Sequence, residues 1–218
     1  MIYVYLFDGM ERLGADFTSE NIHLIPEFRQ KYCLGYRMET DKKACIVAWL
    51  LLQKGLREQY GLCGSLDVRV GEHGKPYLRY SPEIHFNISH CRNGVACAIS
   101  EMEIGIDIQD VRPYDARIAR RVCTDAELES LAACEYPERL FCRLWTQKES
   151  YAKANGMSLM SVFKTTLPQE RIIHWCKGEY FMALGISNAE NAVLSKTQNN
   201  GNTEHPVASV RICRVESL

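Results

Sequence analysis

The chain has 218 residues, 46% of them apolar and 24% charged, with a formal net charge of −1. That length carries one large domain or two small ones around a real core. The near-neutral balance argues against nucleic-acid binding by bulk electrostatics, so any anion site must come from a local group of Lys, Arg and His.

In chain order, residues 2–7 read as a strand, dense in β-branched and aromatic side chains. Residues 26–36 contain a short helix, with Arg29, Lys31 and then Arg37 set among aromatics. Asp41 is placed to cap a long helix over 42–60, whose apolar positions 45, 46, 49, 52 and 56 recur at helical spacing and which Gly61 ends. Residues 66–70 form a strand, 71–76 a glycine-proline turn, and 84–89, 94–100 and 104–109 three further strands. After Pro113 the pattern turns helical: residues 114–123, then 125–134 capped by Thr124, then 137–154 with Pro137 in its first turn and Asn155-Gly156 as its stop. The tail reverts to strands near 170–176, 179–186, 191–197 and 206–215, with a loop at 198–202. The order implies an α+β fold of two halves, 1–110 and 111–218, in one two-lobed unit with no linker rich in Pro, Gly or Ser between them.

Ten cysteines stand singly, without a CxxC pair, so zinc-ribbon and thioredoxin-type motifs are unsupported. The N-terminus MIYVYLFDGM has no basic region followed by a long apolar run, and no stretch reaches the length of a membrane helix. These features point to ten thiols in a reducing cytoplasm, with no membrane partner.

The chain is organised around 103–110, EIGIDIQD. Alternation puts Ile104, Ile106 and Ile108 on one face and Asp107 with Gln109 on the other, beside the small Gly105. On the third helix of the second half, Glu149 and Lys153 share a face at i,i+4, edged by Trp145 and Ala152. Read locally, that pair is a surface ion pair and the polar strand face is wet; read together, two carboxylates from a strand and a helix suit a hard divalent cation such as Mg²⁺ with substrate phosphates. Phosphate donors are available in His90 and Ser89 at a strand end, in Lys75, and in the group Lys31, Arg37, Lys42 and Lys43. Neither GxxxxGK[ST] nor a GxGxxG after a strand is present, so P-loop and Rossmann sites are unsupported.

Four motifs occur in order: Gly74-Lys75-Pro76, Phe86-Asn87-Ile88-Ser89-His90, Gly105-Ile106-Asp107-Ile108 and the run from Trp145 to Lys153, WTQKESYAK. Over residues 26–156 this resembles the 4′-phosphopantetheinyl transferases of the surfactin-synthetase-activating (Sfp) type. The resemblance implies a pseudo-dimer of two similar α/β halves with the active site in the cleft between them. It implies transfer of the phosphopantetheine arm of coenzyme A to a serine of an apo carrier protein, with adenosine 3′,5′-bisphosphate as the other product. On that resemblance Asp107 and Glu149 are Mg²⁺ ligands, Glu149 is also the base for the serine, and Lys153 faces the phosphate and leaving group. His90, Ser89, Lys75 and Pro76 correspond to pyrophosphate- and adenine-side contacts, and Lys31, Arg37 and Lys43 to contacts of the 3′-phosphate.

The chain departs from that pattern at Gln109, where the family usually has glutamate. The amide removes one charge, about 4 kcal/mol at 4 Å and an effective dielectric near 20 before compensation. Gln109 then holds a metal-bound water or ligates weakly, and Asp110 points the other way. Four arginines, Arg112, Arg117, Arg120 and Arg121, follow this strand and offer a docking surface for an acidic carrier, or simply a solvated helix face. Two other functions compete with the transferase: a coenzyme A or nucleotide-binding module without transfer activity, and a Mg²⁺-dependent phosphohydrolase.

Overall fold

The computed structural model describes residues 1–71, 74–187 and 209–217. Its strands are β1 (Ile2–Phe7), β2 (Val68–Val70), β3 (Pro76–Leu78), β4 (His85–His90), β5 (Val95–Ser100), β6 (Ile104–Asp110), β7 (Ile172–Lys177), β8 (Tyr180–Ile186) and β9 (Val210–Arg214). Its α-helices are α1 (Phe17–Asn21), α2 (Glu27–Leu34), α3 (Glu39–Tyr60), α4 (Ala116–Val122), α5 (Asp125–Ala133) and α6 (Pro137–Ala154). The chain is α+β, as its pattern of elements implies. No helix among the described residues is long and apolar enough to cross a membrane. All ten cysteines are free.

Two sheets carry the fold. One has the order β4-β5-β1-β9, the other β6-β8-β7, and β2 pairs with β3 in a separate hairpin. The sheets do not follow a division at residue 110. β6 pairs antiparallel with β8, and β9 returns from the far end of the chain to lie parallel to β1. One face of the first sheet packs Tyr5, Phe7, Phe86, Cys97 and Ile99 against Ile46, Leu51, Leu52 and Leu56 of α3. Its other face gathers Ile2, Val4, Leu6, Ala96 and Ala98 with Ile104, Ile106 and Ile108 of β6 and Met182, Leu184 and Ile186 of β8. The far side of the second sheet meets α6 through Tyr151, Ala152 and Ala183. The layers therefore run helix, sheet, sheet, helix.

The three isoleucines of β6 are fully buried. At about 1.5–3 kcal/mol each, their burial fixes the register of the strand. A slip by one residue would turn them toward α6 and drive Asp107 into the apolar seam.

Several boundaries differ from the sequence expectation. The long helix starts a turn early, at Glu39, with Met38 as its N-cap and no side-chain cap bond. Asp41 therefore sits in the first turn, where a carboxylate favours the helix dipole rather than capping it. Gly61 closes that helix in the left-handed conformation, φ 66°, as its position implied. The expected turn at 71–76 runs into β3, which the sequence did not suggest and which opens on Pro76, a place where proline costs the ladder nothing. Thr124 caps α5 through a full capping box with Glu127. The expected strand at 191–197 and loop at 198–202 lie outside the described residues.

Candidate active site

Two glycines bring the site together. Gly105 of β6 and Gly185 of β8 are register partners. A Cβ on Gly105 would stand 2.2 Å from the Ser150 carbonyl oxygen and 2.4 Å from the Ala154 nitrogen; one on Gly185 would stand 2.6 Å from the same oxygen. The backbone of α6 thus lies directly on a groove that only glycines leave open. On the helix side the buried Cys142, Thr146, Ser150 and Ala154 recur every fourth residue and are all small. The Cys142 thiol also donates to the Gln109 carbonyl oxygen at 3.4 Å. This close approach carries Glu149 and Lys153 to Asp107.

There the Lys153 Nζ donates to Asp107 Oδ1 at 2.9 Å and pairs with Glu149 Oε1 at 3.0 Å. It also donates to the Ile106 carbonyl oxygen at 3.2 Å and reaches Ser89 Oγ at 3.4 Å. The Ser89 hydroxyl donates to Asp107 Oδ1 at 2.7 Å. Asp107 is only 3% exposed. Burial pushes its carboxyl up to about 6, with the Lys153 ammonium pulling against that and the Glu149 charge adding to it. Burial also acts to lower Lys153, but Asp107 and Glu149 outweigh it and hold the ammonium above its ordinary range.

Asp107 Oδ2 is buried and has no hydrogen-bond partner among the described residues. A bare carboxylate oxygen in the interior is costly, and a proton or a hard cation removes that cost. Among the described residues no group of three or more His, Cys, Asp or Glu is placed to hold a metal. Asp107 and Glu149 give two carboxylates, and Gln109 offers an amide from the same strand face as Asp107. Asp110 faces away and is occupied: it accepts from the Arg92 amide at 2.8 Å and from Asn93 Nδ2 at 2.6 Å.

Beside Gln109 opens a cavity of about 190 Å³, walled by Tyr114, Ile118, Phe141 and Trp145. Arg112 borders it and lies 3.5 Å from Asp110. Arg117 is tied to Asp115 at 2.6 Å. Arg120 and Arg121 stand exposed on α4.

A second cavity, about 240 Å³, lies between α2, α3 and β4 and takes in Pro76, Asn87 and His90. His90 is exposed at the end of β4; the protein around it lowers its pKa, Asp41 opposes that and Lys153 reinforces it. The cation lining this cavity is Arg29, which no sequence motif singled out. Its guanidinium lies over the Tyr32 and Trp49 rings at 5.1 and 5.8 Å, and its Nε is buried without a hydrogen-bond partner among the described residues. The signal was present: Arg29 and Tyr32 are three apart on one helix face, amid Tyr36 and Phe28.

The expected basic group does not line that cavity. Lys31 is exposed and paired with Glu27 at 3.0 Å, Arg37 is exposed, and Lys43 donates to the Leu13 carbonyl oxygen at 2.9 Å. Lys75 borders a different cavity, with Glu103 and His85. Its Nζ is buried without a hydrogen-bond partner among the described residues, and burial lowers its pKa against the pull of Glu103.

Comparison with known proteins identifies the family. The sequence pattern of the 4′-phosphopantetheinyl transferase superfamily matches residues 103–209, which hold Asp107, Gln109, Glu149 and Lys153. A 4′-phosphopantetheinyl transferase of Bacillus subtilis is 34% identical over 151 residues, 67% of this chain and 67% of that one. The 4′-phosphopantetheinyl transferase Sfp of Bacillus subtilis (strain 168) is 36% identical over 138 residues, 62% and 61% of the two chains. The 4′-phosphopantetheinyl transferase gsp of Aneurinibacillus migulanus is 32% identical over 163 residues, 73% and 66%. The chain spans 61% to 67% of the length of these relatives. With a family pattern that covers both carboxylates of the site, and relatives that agree over most of the chain, this protein belongs to the 4′-phosphopantetheinyl transferases.

Proposed function

We propose that the protein transfers the 4′-phosphopantetheine arm of coenzyme A to a serine hydroxyl of an apo carrier protein and releases adenosine 3′,5′-bisphosphate. The observation that carries this reading is the meeting of Asp107, Glu149 and Lys153 at one half-enclosed point, with a buried carboxylate oxygen that has no partner among the described residues. In the reaction the serine oxygen forms a bond to the phosphorus that bears the pantetheine, and the bond from that phosphorus to the bridging oxygen breaks. Phosphoryl transfer of this kind is mostly positioning and charge neutralisation.

Glu149 takes the serine proton. Lys153 is kept charged by two carboxylates and faces the charge that builds on the leaving bisphosphate. Mg²⁺ fits Asp107 Oδ2, Glu149 and the Gln109 amide, and supplies neutralisation of the diphosphate when bound. With one carboxylate fewer than the usual family set, this site holds the ion weakly. His90, Arg29 and Pro76 form the side of the site that takes the nucleotide end of coenzyme A. Lys31, Arg37 and Lys43 meet the 3′-phosphate only after leaving their present partners or swinging inward, and Lys75 acts from the neighbouring cavity. Ser89 holds Asp107 rather than solvent.

The carrier approaches across the arginines. Since Asp115 compensates Arg117 and Asp110 lies 3.5 Å from Arg112, the docking charge rests on Arg120 and Arg121, beside the aromatic cavity that opens next to Gln109. Ten free thiols fit a reducing cytoplasm, and the presence of both carboxylates and the lysine in one chain fits a working monomer.

The test mixes protein, Mg²⁺, coenzyme A and an apo carrier, and weighs the carrier. A mass gain equal to the phosphopantetheine arm is expected. Binding of coenzyme A without product would instead mark a binding module, and cleavage of coenzyme A without carrier a phosphohydrolase.

A further inference from the structure

The FNISH stretch contains one polar residue with no part in the chemistry above, Asn87. It sits in the middle of β4, buried, opposite Ala98 of β5. Among the described residues, β4 and β6 are the outer strands of two different sheets, and each has its ladder on one side only. Between them the chain makes cross-links of another kind. The Ile106 amide donates to Asn87 Oδ1 at 2.9 Å, and the Ile108 amide donates to Ser89 Oγ at 3.3 Å. The two acceptors are two residues apart on β4, and the two amides two apart on β6. Alternation therefore lets one strand's side chains serve as the missing neighbour of the other's backbone. Ala96 and Ala98, small and fully buried beside them, leave room for β6 to come this close. The residue held between the two bonds is Asp107.

We propose that Asn87 is a positioning residue: its side-chain oxygen fixes the β6 backbone so that Asp107 faces Lys153 and Glu149 at reacting distance. This rests on the transferase reading. Asn87 also lines the second cavity, but its oxygen is spent on the Ile106 amide inside the seam, so its positioning role is distinct from any contact with substrate. The chemistry needs an acceptor at this point and makes no demand for an amide.

The experiment compares Asn87→Leu, close in shape but without an acceptor, with Asn87→Asp, which keeps one. Carrier loading is measured at saturating Mg²⁺, coenzyme A affinity by calorimetry without metal, and exchange of the Ile106 amide by NMR. In Asn87→Leu the expected result is kcat lower by about tenfold or more and faster exchange at Ile106; because Asn87 also lines the second cavity, coenzyme A affinity falls by less than kcat does. In Asn87→Asp, kcat and Ile106 protection return to within about threefold of the parent. Equal losses in both variants would overturn the proposal. So would a loss of coenzyme A affinity with kcat intact, which would make Asn87 a substrate contact. If Asn87→Leu does not fold, Asn87→Asp decides alone: a protected Ile106 amide with kcat down more than tenfold overturns it. If the unaltered protein loads no carrier, the transferase reading fails, and the Ile106 exchange rates still judge the seam.

Discussion

Replacing Gly105 with alanine tests whether the glycine groove makes the site. The added Cβ would lie 2.2 Å from the Ser150 carbonyl oxygen, where ordinary contact begins near 3.4 Å. Helix α6 must then retreat from β6 by about 1 Å, the difference between those two distances. The neighbour is helix backbone, so no side chain can turn aside to absorb the change. Overpacking of this kind costs about 1–3 kcal/mol, which at this size lowers Tm by about 2–4 °C per kcal/mol. The larger effect is on chemistry. The same retreat stretches the 2.9 Å bond from Lys153 to Asp107 toward 4 Å and carries Glu149 with it. A misplacement of 1 Å costs about a hundredfold in rate. Thermal melting and carrier-loading rates on Gly105→Ala are the assay, with Gly14→Ala as control because nothing lies within 4 Å of its Cβ position. A Gly105→Ala protein that loads carrier within about twofold of the parent would refute the reasoning, whatever its Tm.

Gln109→Glu restores a third carboxylate and lowers the Mg²⁺ concentration for half-maximal loading; unchanged or weaker metal dependence would count against Gln109 as part of the site. Arg29→Ala raises the KM for coenzyme A about tenfold with kcat unchanged, the scale of one charged hydrogen bond; an unmoved KM would remove Arg29 from the nucleotide side. Charge reversal at Arg120 and Arg121 raises the KM for carrier, steepens at low salt and spares coenzyme A, whereas reversal at Arg117 does less because Asp115 already occupies it. Without metal, Asp107 binds its proton up to about pH 6 in the folded chain but only to about 3.8 when unfolded. The folded state holds more protons in that window, so the Asp107 contribution to stability is full below about 4 and is lost as pH rises through 6. Denaturant melts of the parent and of Asp107→Asn, compared from pH 4 to 7 in chelator, should show the parent losing ground; a constant difference would refute the raised pKa.

Much of this site was legible because its cues are local. Alternation in β6 separates Asp107 from the isoleucines, and i,i+4 spacing joins Glu149 to Lys153, without knowledge of anything distant. What was not legible depends on pairings far apart in the chain. Nothing near Gly185 says that it stands opposite Gly105, and nothing near Val210 says that it lies beside Ile2. The basic cluster shows the same limit. Lys31, Arg37 and Lys43 are visible as charges, but which cation lines the cavity is decided by the rotation of α2 against α3, and that places Arg29 there instead. Lys43 turns to a carbonyl 30 residues away, at Leu13, a partner no spacing rule names.

Lys148 and Glu149 show how the helix can be both anchor and instrument. Neighbours on an α-helix point about 100° apart, so one can turn into the protein while the other turns to the site. Lys148 is 1% exposed; its Nζ donates to the Thr165 carbonyl oxygen at 2.9 Å and pairs with Glu127 at 3.1 Å. Glu127 in turn accepts from the Thr124 amide at 2.8 Å, closing the cap of α5. A buried ammonium is tolerated only with such partners, so it locks the rotation of α6 from behind. The glycine groove locks its height in front. With rotation and height both set, Glu149 has one place to be, and it is the place where Asp107 already waits on a strand held by three isoleucines. Two charged neighbours in sequence thus divide the work: the first makes the second's position unavoidable.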